Sequence, residues 1–284
     1  MIQDIAPYQY KNEYKPVPPE ANSILLCYDG RNVLVKCSSE GFSFPTFEEA
    51  EKCNPKEKLY GEYTYLFAID DMRFYLGDGI SCEALTQYTW EDIAIFKRTS
   101  PKYLGFAGIT GWQLKRWYDS RRFCGRCGKP MVRDEKERMM RCPECGLMEY
   151  PKLCPATIVA VTHGNRILMT KYAGPGHTHY ALIAGFAEIG ETIEETVKRE
   201  VMEEVGLKVK NLKFYKSQPW SFTDTLLFGF FCELDGDGEK VTIDKHELAM
   251  AQWFDRRDLP VEFDDCSLTN EMMIAFKENR WRAK

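Results

Sequence analysis

The sequence lacks several features that would each indicate a particular class of protein. Its 284 residues include only four histidines, so a histidine-activated serine or cysteine nucleophile is not indicated. No apolar run approaches the roughly 18 residues of a membrane span, and the first 20 residues lack the apolar segment of a signal peptide. The net charge is −5, so a protein that binds nucleic acid through an overall basic surface is not expected. We therefore expect a globular, cytoplasmic protein with room for two domains.

Cysteine is plentiful, but most of it is scattered. Eleven cysteines, an odd number, are typical of reduced thiols in the cytoplasm rather than of a disulfide framework. Four of them form two Cys-x-x-Cys pairs that are separated by 14 residues: Cys124, Cys127, Cys142 and Cys145. Each pair lies in a tight turn that directs two thiolates to one point, and four thiolates complete a tetrahedral zinc site with no open position. The sequence therefore predicts a structural zinc ribbon at residues 119–150.

The remaining chain is predicted to form one domain on each side of the ribbon. Residues 1–118 have short strand patterns at 23–27, 32–36, 63–69 and 72–76, with helical spacing at 91–98 and 108–118. They carry no chemical motif, and we expect an N-terminal α+β domain with a structural or dimer-forming role. Residues 151–284 alternate strand patterns with helices, at 157–162, 166–170, 192–205, 225–234, 250–254 and 270–280. This order predicts an α/β fold, an α/β/α sandwich with a mixed sheet.

One helix of this last domain carries the strongest pattern in the sequence. Thr192 and Glu195 form a capping box at its start, and Gly206 is placed to end it. Apolar residues recur every four positions and predict a buried stripe: Ile193, Val197, Val201 and Val205.

Three glutamates lie on one side of the same helix. Glu200, Glu203 and Glu204 fall within an arc of roughly 100°, and Glu204 overlaps the apolar stripe. Crowded carboxylates near a core repel one another and lose hydration, and a hard divalent cation such as Mg²⁺ or Mn²⁺ relieves both costs. The alternative is an ordinary acidic helix face. Gly185, Glu191, Arg199 and Gly206, at fixed offsets from these glutamates, argue against that alternative.

The segment resembles the signature of the Nudix hydrolases at every defined position: Gly185-x5-Glu191-x7-Arg199-Glu200-Val201-x-Glu203-Glu204-x-Gly206-Leu207. The resemblance implies metal-assisted hydrolysis of a pyrophosphate bond. It implies that the metal ligands are the carboxylates of Glu200, Glu203 and Glu204 and the carbonyl of Ala184. It also implies that Arg199 and Glu191 pair to hold the loop at 184–191, along which the substrate phosphates pass. We expect His177 and His179 to be loop residues near the mouth of the site rather than ligands.

A second motif narrows the substrate. Ser217-Gln218-Pro219-Trp220-Ser221-Phe222-Thr223-Asp224-Thr225 resembles the Ser-Gln-Pro-Trp-Pro-Phe-Pro-x-Ser motif of the NADH pyrophosphatases, also called NAD-capped RNA hydrolases. Ser221 and Thr223 replace prolines of that motif, and Thr225 replaces a serine while keeping its hydroxyl. A Trp or Phe beside an amide would stack on a nicotinamide or adenine ring. The alternative is that Trp220 and Phe222 are core aromatics.

The same resemblance extends from Cys124 to the C-terminus and implies further roles. The implied substrate contacts are Tyr150, Phe186, Gln218, Pro219, Trp220, Ser221, Phe222, Thr223, Asp224, Thr225 and Thr269, with Glu137 reaching the partner's site. Glu247 would add a metal ligand. The family forms homodimers in which both subunits build each site, and we expect the same arrangement.

Our leading hypothesis is hydrolysis of NAD(H) to NMN(H) and AMP, together with removal of NAD caps from RNA 5′ ends. One alternative is a Nudix hydrolase acting on another nucleoside diphosphate derivative, such as ADP-ribose or a dinucleoside polyphosphate. A second is a non-catalytic nucleotide- or RNA-binding module. Between Lys115 and Arg141 lie ten Lys/Arg and four Asp/Glu, either an ordinary solvated face or a surface for RNA phosphates.

Overall fold

The structure is a computed structural model that describes residues 1–98, 100–174, 179–236 and 238–282. His177 lies outside these described residues, and His179 is exposed. The chain divides into two compact units. The first comprises residues 2–152 with 221–223, and the second comprises Met1, Leu153–Trp220 and the chain from Asp224 onward. Among the described helices, none is both long enough and apolar enough to cross a bilayer.

The first unit begins with short strands and three helices. The strands are β1 (Tyr10–Lys11), β2 (Ile24–Leu26), β3 (Tyr28–Asp29), β4 (Asn32–Ser38), β5 (Gly41–Ser43), β6 (Thr64–Ile69), β7 (Met72–Leu76) and β8 (Thr89–Asp92). The helices are α1 (Phe47–Ala50), α2 (Lys56–Gly61) and α3 (Lys102–Ser120). One sheet has the order β1-β6-β7-β2, and another has β3-β4-β5 with β8 paired to β4. The predicted strands of this region are confirmed, with ends shifted by a few residues at most.

The two helices predicted here need correction. Residues 91–98 do not form a regular α-helix, because β8 runs to Asp92 and is followed by a 3₁₀ helix, Ile93–Lys97. The Asp92 carboxylate starts that turn by accepting the Ala94 N–H. Helix α3 begins six residues before the predicted position 108, directly after Pro101. Glycines in its first half obscured the helical pattern in the sequence.

The ribbon follows α3 in the same unit. Its strands are β9 (Val132–Arg133), β10 (Met140–Arg141) and β11 (Met148–Glu149), in the order β11-β10-β9. Two turns of the same design carry the cysteines, one before β9 and one between β10 and β11. In each turn the first cysteine accepts a backbone N–H from a glycine four residues on, Gly128 or Gly146, and both glycines have positive φ.

The second unit is built on a six-stranded sheet. Its strands are β12 (Cys154–His163), β13 (Arg166–Tyr172), β14 (Ile183–Phe186), β15 (Val209–Trp220), β16 (Thr225–Leu234) and β17 (Leu248–Asp255). Its helices are α4 (Ile193–Val205) and α5 (Leu268–Lys277). The order is β15-β16-β12-β13-β17, with β14 antiparallel to β12. Because β12 and β16 are parallel and the other pairs are antiparallel, the predicted mixed sheet is confirmed.

The two helices cover opposite faces of this sheet. Alternate residues of a strand point to opposite faces. Accordingly, Val159 and Val161 of β12 pack in the apolar cluster that contains α4, whereas Ile158 and Ala160 pack in the cluster that contains α5. The predicted α/β/α sandwich is therefore confirmed.

Helix α4 has the predicted boundaries. The Thr192 hydroxyl accepts the Glu195 N–H, the Glu195 carboxylate accepts the Thr192 N–H, and Gly206 adopts φ +69° at the C-terminal end. Further along the chain, the N–H groups of Thr242 and Asp244 donate to the carbonyls of Val205 and Glu204. A distant loop thus satisfies carbonyls that a helix end otherwise leaves without partners.

Strand β15 was not among the predicted elements. Its last residues belong to the Gln218-Pro219-Trp220 motif, and a proline inside a strand pattern usually argues against a strand. Here β15 is an edge strand, so the missing N–H of Pro219 costs no sheet hydrogen bond on the open side.

The buried stripe of α4 makes a prediction about stability. Val201 is fully buried, whereas the next residue, Met202, is exposed. Replacing Val201→Ala removes buried methyl groups and is expected to lower the free energy of unfolding by about 2 kcal/mol. Urea denaturation of the metal-free protein measures the change, with Met202→Ala as the matched control. Equal losses in the two variants would contradict the packing of this face.

Candidate functional site

The three glutamates of α4 have very different exposures. Glu204 is 2% exposed and Glu200 is 8% exposed, whereas the side chain of Glu203 is 58% exposed. The overlap of Glu204 with the apolar stripe, expected from the sequence, is therefore present in the fold. Two carboxylates are held at the contact between the helix and the sheet.

Strand β14 lies directly against these two carboxylates. A Cβ atom built on Gly185 would lie 2.0 Å from the Glu200 carboxyl group, a distance that no real contact reaches. Any larger residue at position 185 would displace the carboxylate. Next to it, the Ala184 N–H donates to the carboxylate of Glu204. The glycine of the motif is thus required by close approach rather than by backbone conformation.

The protein neutralises the buried pair only in part. Burial, followed by repulsion from Glu200, raises the pKa of Glu204 to about 8. Burial also raises the pKa of Glu200, against the opposing effect of Arg199. Within the described part of the chain, Glu204 Oε2 is buried without a hydrogen-bond partner. Such an orphaned oxygen is expected where a further partner belongs.

Arg199 forms hydrogen bonds to several groups on the exposed side of the site. Its Nε and Nη2 donate to the Glu191 carboxylate at 2.6 and 3.0 Å, and Nη2 also donates to the Phe186 carbonyl at 2.9 Å. Its Nη1 donates to both Glu200 and Glu203 at 2.8 Å. The bond to Arg199 lowers the pKa of Glu191 to about 2. The guanidinium therefore ties the loop after β14 to the helix.

Two more residues border the carboxylates. Glu247 lies in the loop that docks on the end of α4, and its charge contributes to the raised pKa of both Glu200 and Glu204. Tyr172, at the end of β13, has its pKa raised to about 12 by burial and then by the charges of Glu204, Glu247 and Glu200. Sequence reasoning did not identify Tyr172, because the hydrophobic pattern of β13 gives no sign that this strand ends at the carboxylates.

These residues fit a hard divalent cation. The donors are carboxylate oxygens, one of them orphaned, and oxygen donors are what Mg²⁺ and Mn²⁺ prefer. The three carboxylates are not drawn tightly together: among the described residues, only the four cysteines bring three or more ligand atoms within 4.8 Å of one another. Arg199 supplies a positive charge that Glu200 and Glu203 share.

The ribbon cysteines fit zinc. The Sγ atoms of Cys124 and Cys145 lie 3.5 Å apart, as do those of Cys127 and Cys142. A tetrahedral site with Zn–S bonds of about 2.3 Å has sulfur–sulfur edges of about 3.8 Å. The Cys127 N–H, followed by the Arg126 N–H, lowers the pKa of Cys124 to about 6. The four sulfur atoms are therefore close to the geometry of a structural zinc site.

The ribbon is less basic than the run from Lys115 to Arg141 indicates. Residues 119–150 carry eight Lys/Arg and six Asp/Glu. Four thiolates around Zn²⁺ add a charge of −2, which leaves the ribbon near neutrality. Arg121 is also paired with Glu149 at 3.3 Å. These charges favour the solvated-face interpretation over an RNA surface.

Two residues that are predicted to contact the substrate are hydrogen-bonded to each other on the ribbon. The Tyr150 hydroxyl donates to the Glu137 carboxylate at 2.8 Å, and both side chains are exposed. In the second unit, Phe186 is 55% exposed at the end of β14, and Thr269 is partly exposed in the first turn of α5.

The second motif forms a hairpin. Trp220, at the end of β15, is paired with Thr225, at the start of β16, and residues 221–224 form the turn. Asp224 has φ +58° in this turn. Ser221 and Thr225 are buried, whereas Pro219, Trp220, Phe222 and Asp224 are partly exposed and Thr223 is exposed. Within the first unit, Lys97 Nζ lies 4.8 Å from the ring centroid of Phe222.

Gln218 is placed differently from its neighbours. It is 0% exposed, and its amide is hydrogen-bonded inside the protein. Its Nε2 donates to the Cys266 carbonyl at 2.8 Å, and its Oε1 accepts the Leu268 N–H at 2.6 Å. A direct contact between this amide and a substrate would require these bonds to break.

Known families match both the second unit and the ribbon. Residues 152–273 match the NUDIX domain, and residues 119–150 match the NADH pyrophosphatase zinc ribbon domain. Among solved structures, a NUDIX hydrolase from Nitrosomonas europaea is 20% identical, with a TM-score of 0.47, over 56% of this chain and 92% of that one.

Curated relatives match over half of this chain or more. The NAD-capped RNA hydrolase NudC of Citrobacter koseri is 36% identical over 212 residues, 73% of this chain and 82% of the relative. The proteins of the same name from Klebsiella pneumoniae and Salmonella heidelberg are 42% and 43% identical over 151 residues. Each of these two matches covers 53% of this chain and 58% of the relative. The chain therefore belongs to the Nudix hydrolases, in the family of NAD-capped RNA hydrolases that carry an NADH pyrophosphatase zinc ribbon.

Proposed function

We propose that this chain hydrolyses the pyrophosphate bond of NAD(H) to give NMN(H) and AMP. By the same reaction it removes NAD caps from RNA 5′ ends and leaves a monophosphate. The observation that carries the proposal is the buried, only partly neutralised pair Glu200 and Glu204 against Gly185, in a chain whose ribbon is of the NADH pyrophosphatase type. Its relatives of 36–43% identity are named for the hydrolysis of NAD-capped RNA.

In this proposal the carboxylates hold Mg²⁺ or Mn²⁺. The ligands are Glu200, Glu203, Glu204 and Glu247 with the Ala184 carbonyl. A bound cation neutralises pyrophosphate charge and lowers the pKa of a coordinated water. The orphaned Oε2 of Glu204 and the shared bond from Arg199 to Glu200 and Glu203 support this assignment.

The remaining roles concern orientation. Glu191 and Arg199 fix the turn between β14 and α4, so that the phosphates meet a rigid loop, and positioning of this kind supplies much of the catalysis in phosphoryl transfer. Trp220 and Phe222 stack on the aromatic rings of the substrate. Tyr150, Phe186 and Thr269 are assigned as further substrate contacts. Both rings are partly exposed at the hairpin, which supports the assignment of Trp220 and Phe222 as stacking residues.

We further propose a cytoplasmic homodimer in which Glu137 reaches the partner's site. The odd, scattered set of cysteines supports the compartment, and the exposed side chains of Tyr150 and Glu137 support a shared surface. The boundary at 118/119, between an N-terminal domain and the ribbon, and the start of the Nudix domain at 151 are parts of the same proposal.

A product assay tests the central claim. With Mg²⁺ or Mn²⁺ present, the protein is expected to release AMP and NMNH from NADH, measured by chromatography. Parallel rates on ADP-ribose and on NAD-capped RNA rank the substrates. Absence of AMP would refute the proposal, and faster turnover of ADP-ribose than of NADH would favour the alternative nucleoside diphosphate substrate.

Replacing Glu204→Gln is expected to lower the activity and to raise the stability of the metal-free protein. The variant loses a metal ligand, a contribution of several kcal/mol, so the rate on NADH should fall roughly 100-fold or more. Its metal-free form should nevertheless be more stable than the wild type at pH 7.5. Because the native pKa of Glu204 is about 8 and the ordinary value is 4.5, the folded state binds this proton more tightly. The wild type therefore loses stability as pH rises between these values, and the variant is spared that loss.

Thermal melting from pH 4 to pH 9 without divalent ions, combined with NADH hydrolysis, measures both effects. Glu194→Gln, on the exposed side of the same helix, is the control and should change neither. A Glu204→Gln variant with wild-type activity, or with lower stability at pH 7.5, would contradict the assignment.

The zinc site of the ribbon leads to a separate prediction about metal content and stability. The wild type is expected to contain ~1 zinc per chain, held by the four cysteines. Cys142→Ser should lose the metal and melt at a lower temperature, because binding energy at such a site is folding energy. Elemental analysis and thermal melting measure these changes. Cys37→Ser, at an exposed cysteine outside the ribbon, should keep both zinc and melting temperature; zinc retained by Cys142→Ser would contradict the prediction.

A further inference from the structure

The Gln218 amide links the second motif to the last helix. Gln218 is in the edge strand β15, two residues before Trp220, and Leu268 is the first residue of α5. The amide accepts the N–H of Leu268 and donates to the carbonyl of Cys266, so it pairs with the chain on both sides of the N-cap residue Ser267. One side chain thus fixes the point at which α5 begins.

These bonds are energetically demanding. Gln218 and Leu268 are both fully buried. The Leu268 N–H is one of the helix N–H groups that has no partner within the helix. Loss of the amide would remove the bonds to this N–H and to the Cys266 carbonyl, and a buried donor left without a partner is destabilising.

The chain around Gln218 keeps the amide in place. Pro219 restricts the residue before it to extended backbone, which is the conformation of Gln218 in β15. On the other side, Asp264 accepts the Cys266 N–H, and Ser267 accepts the Asn270 N–H. Both partners of the amide are therefore held before any ligand arrives.

We propose that Gln218 is a positioning residue that sets the first turn of α5, and with it Thr269, against the strand that ends at Trp220. Thr269 follows Leu268 directly, so the bond at the Leu268 N–H also restricts the backbone position of Thr269. This proposal rests on the proposed function, in which Trp220 and Thr269 contact the dinucleotide. In this proposal the Gln218 amide does not contact the substrate. It instead sets the distance between Trp220 and Thr269, which contact the substrate from β15 and from α5.

A second strand–helix contact supplies a matched control. Glu271, in the next turn of α5, accepts hydrogen bonds from Tyr215 and Lys216 of β15 at 2.8 and 2.9 Å. Glu271→Ala weakens the same strand–helix pair without touching the start of the helix. It reports what general loosening of this contact does to activity.

The test is a comparison of kinetic constants for NADH hydrolysis by the full chain with Mg²⁺. Gln218→Met keeps the size of the side chain and removes both bonds. KM is expected to rise ~10-fold or more with kcat within ~3-fold, because binding contacts distant from the carboxylates are lost. Glu271→Ala should leave KM within ~2-fold of the wild type, although it also lowers the melting temperature.

A double-mutant cycle identifies the route of the effect. If Gln218 acts through Thr269, then in a Thr269→Ala background Gln218→Met should raise KM by less than ~2-fold. Additive effects of the two changes, or equal KM changes in Gln218→Met and Glu271→Ala, would overturn the proposal.

Hydrogen exchange keeps the proposal testable if Gln218→Met does not fold. In the wild-type protein the Leu268 N–H should exchange as slowly as the amides of the central strands, and exchange at the rate of exposed loops would overturn the proposal. The wild-type rate on NADH judges the proposed function separately. If ADP-ribose is the better substrate, the same variant ratios are measured with it.

Discussion

The buried carboxylates of Glu200 and Glu204 are the constraint on which the second unit depends. They lie where α4 meets β14, and among the described residues Glu204 Oε2 has no hydrogen-bond partner. Gly185 has no side chain because the Glu200 carboxylate occupies that space. Arg199 bonds to Glu191 in the loop and to Glu200 in the helix, and its positive charge compensates part of the charge of these carboxylates. An interior that stores unfavourable charge at one place is common at functional sites, where a ligand relieves it.

Local patterns in the sequence predicted α4 well. Thr192, Glu195 and Gly206 act within one turn of the helix ends, and the apolar stripe repeats at the helical period, so no distant contact was needed to predict them. The burial of Glu204 followed from the same period. The fit of Gly185 to Glu200 could not be derived in this way, because it depends on how closely a strand 15 residues away approaches the helix.

Non-local contacts account for what the sequence did not reveal. Strand β15 contains Pro219, and only its place at the sheet edge makes that residue acceptable. The Gln218 amide bonds to residues about 50 positions later, so its role is invisible in a motif read along the chain. Ser221 and Thr223, which replace prolines of the family motif, lie in the hairpin turn rather than in β15 or β16. The lost prolines therefore affect the turn beside Trp220 and leave the pairing of the strands intact.

The loop that docks on the end of α4 has a consequence for how the protein is made. The start of α4 is completed by its own residues, but its last carbonyls are bonded by Thr242 and Asp244, almost 40 residues later in the chain. Glu247 arrives on the same segment. During synthesis, the helix that bears the glutamates leaves the ribosome well before the residues that finish it. The site can thus be completed only after residues 242–247 have been made, and a nascent chain stopped before position 242 holds an unfinished helix end.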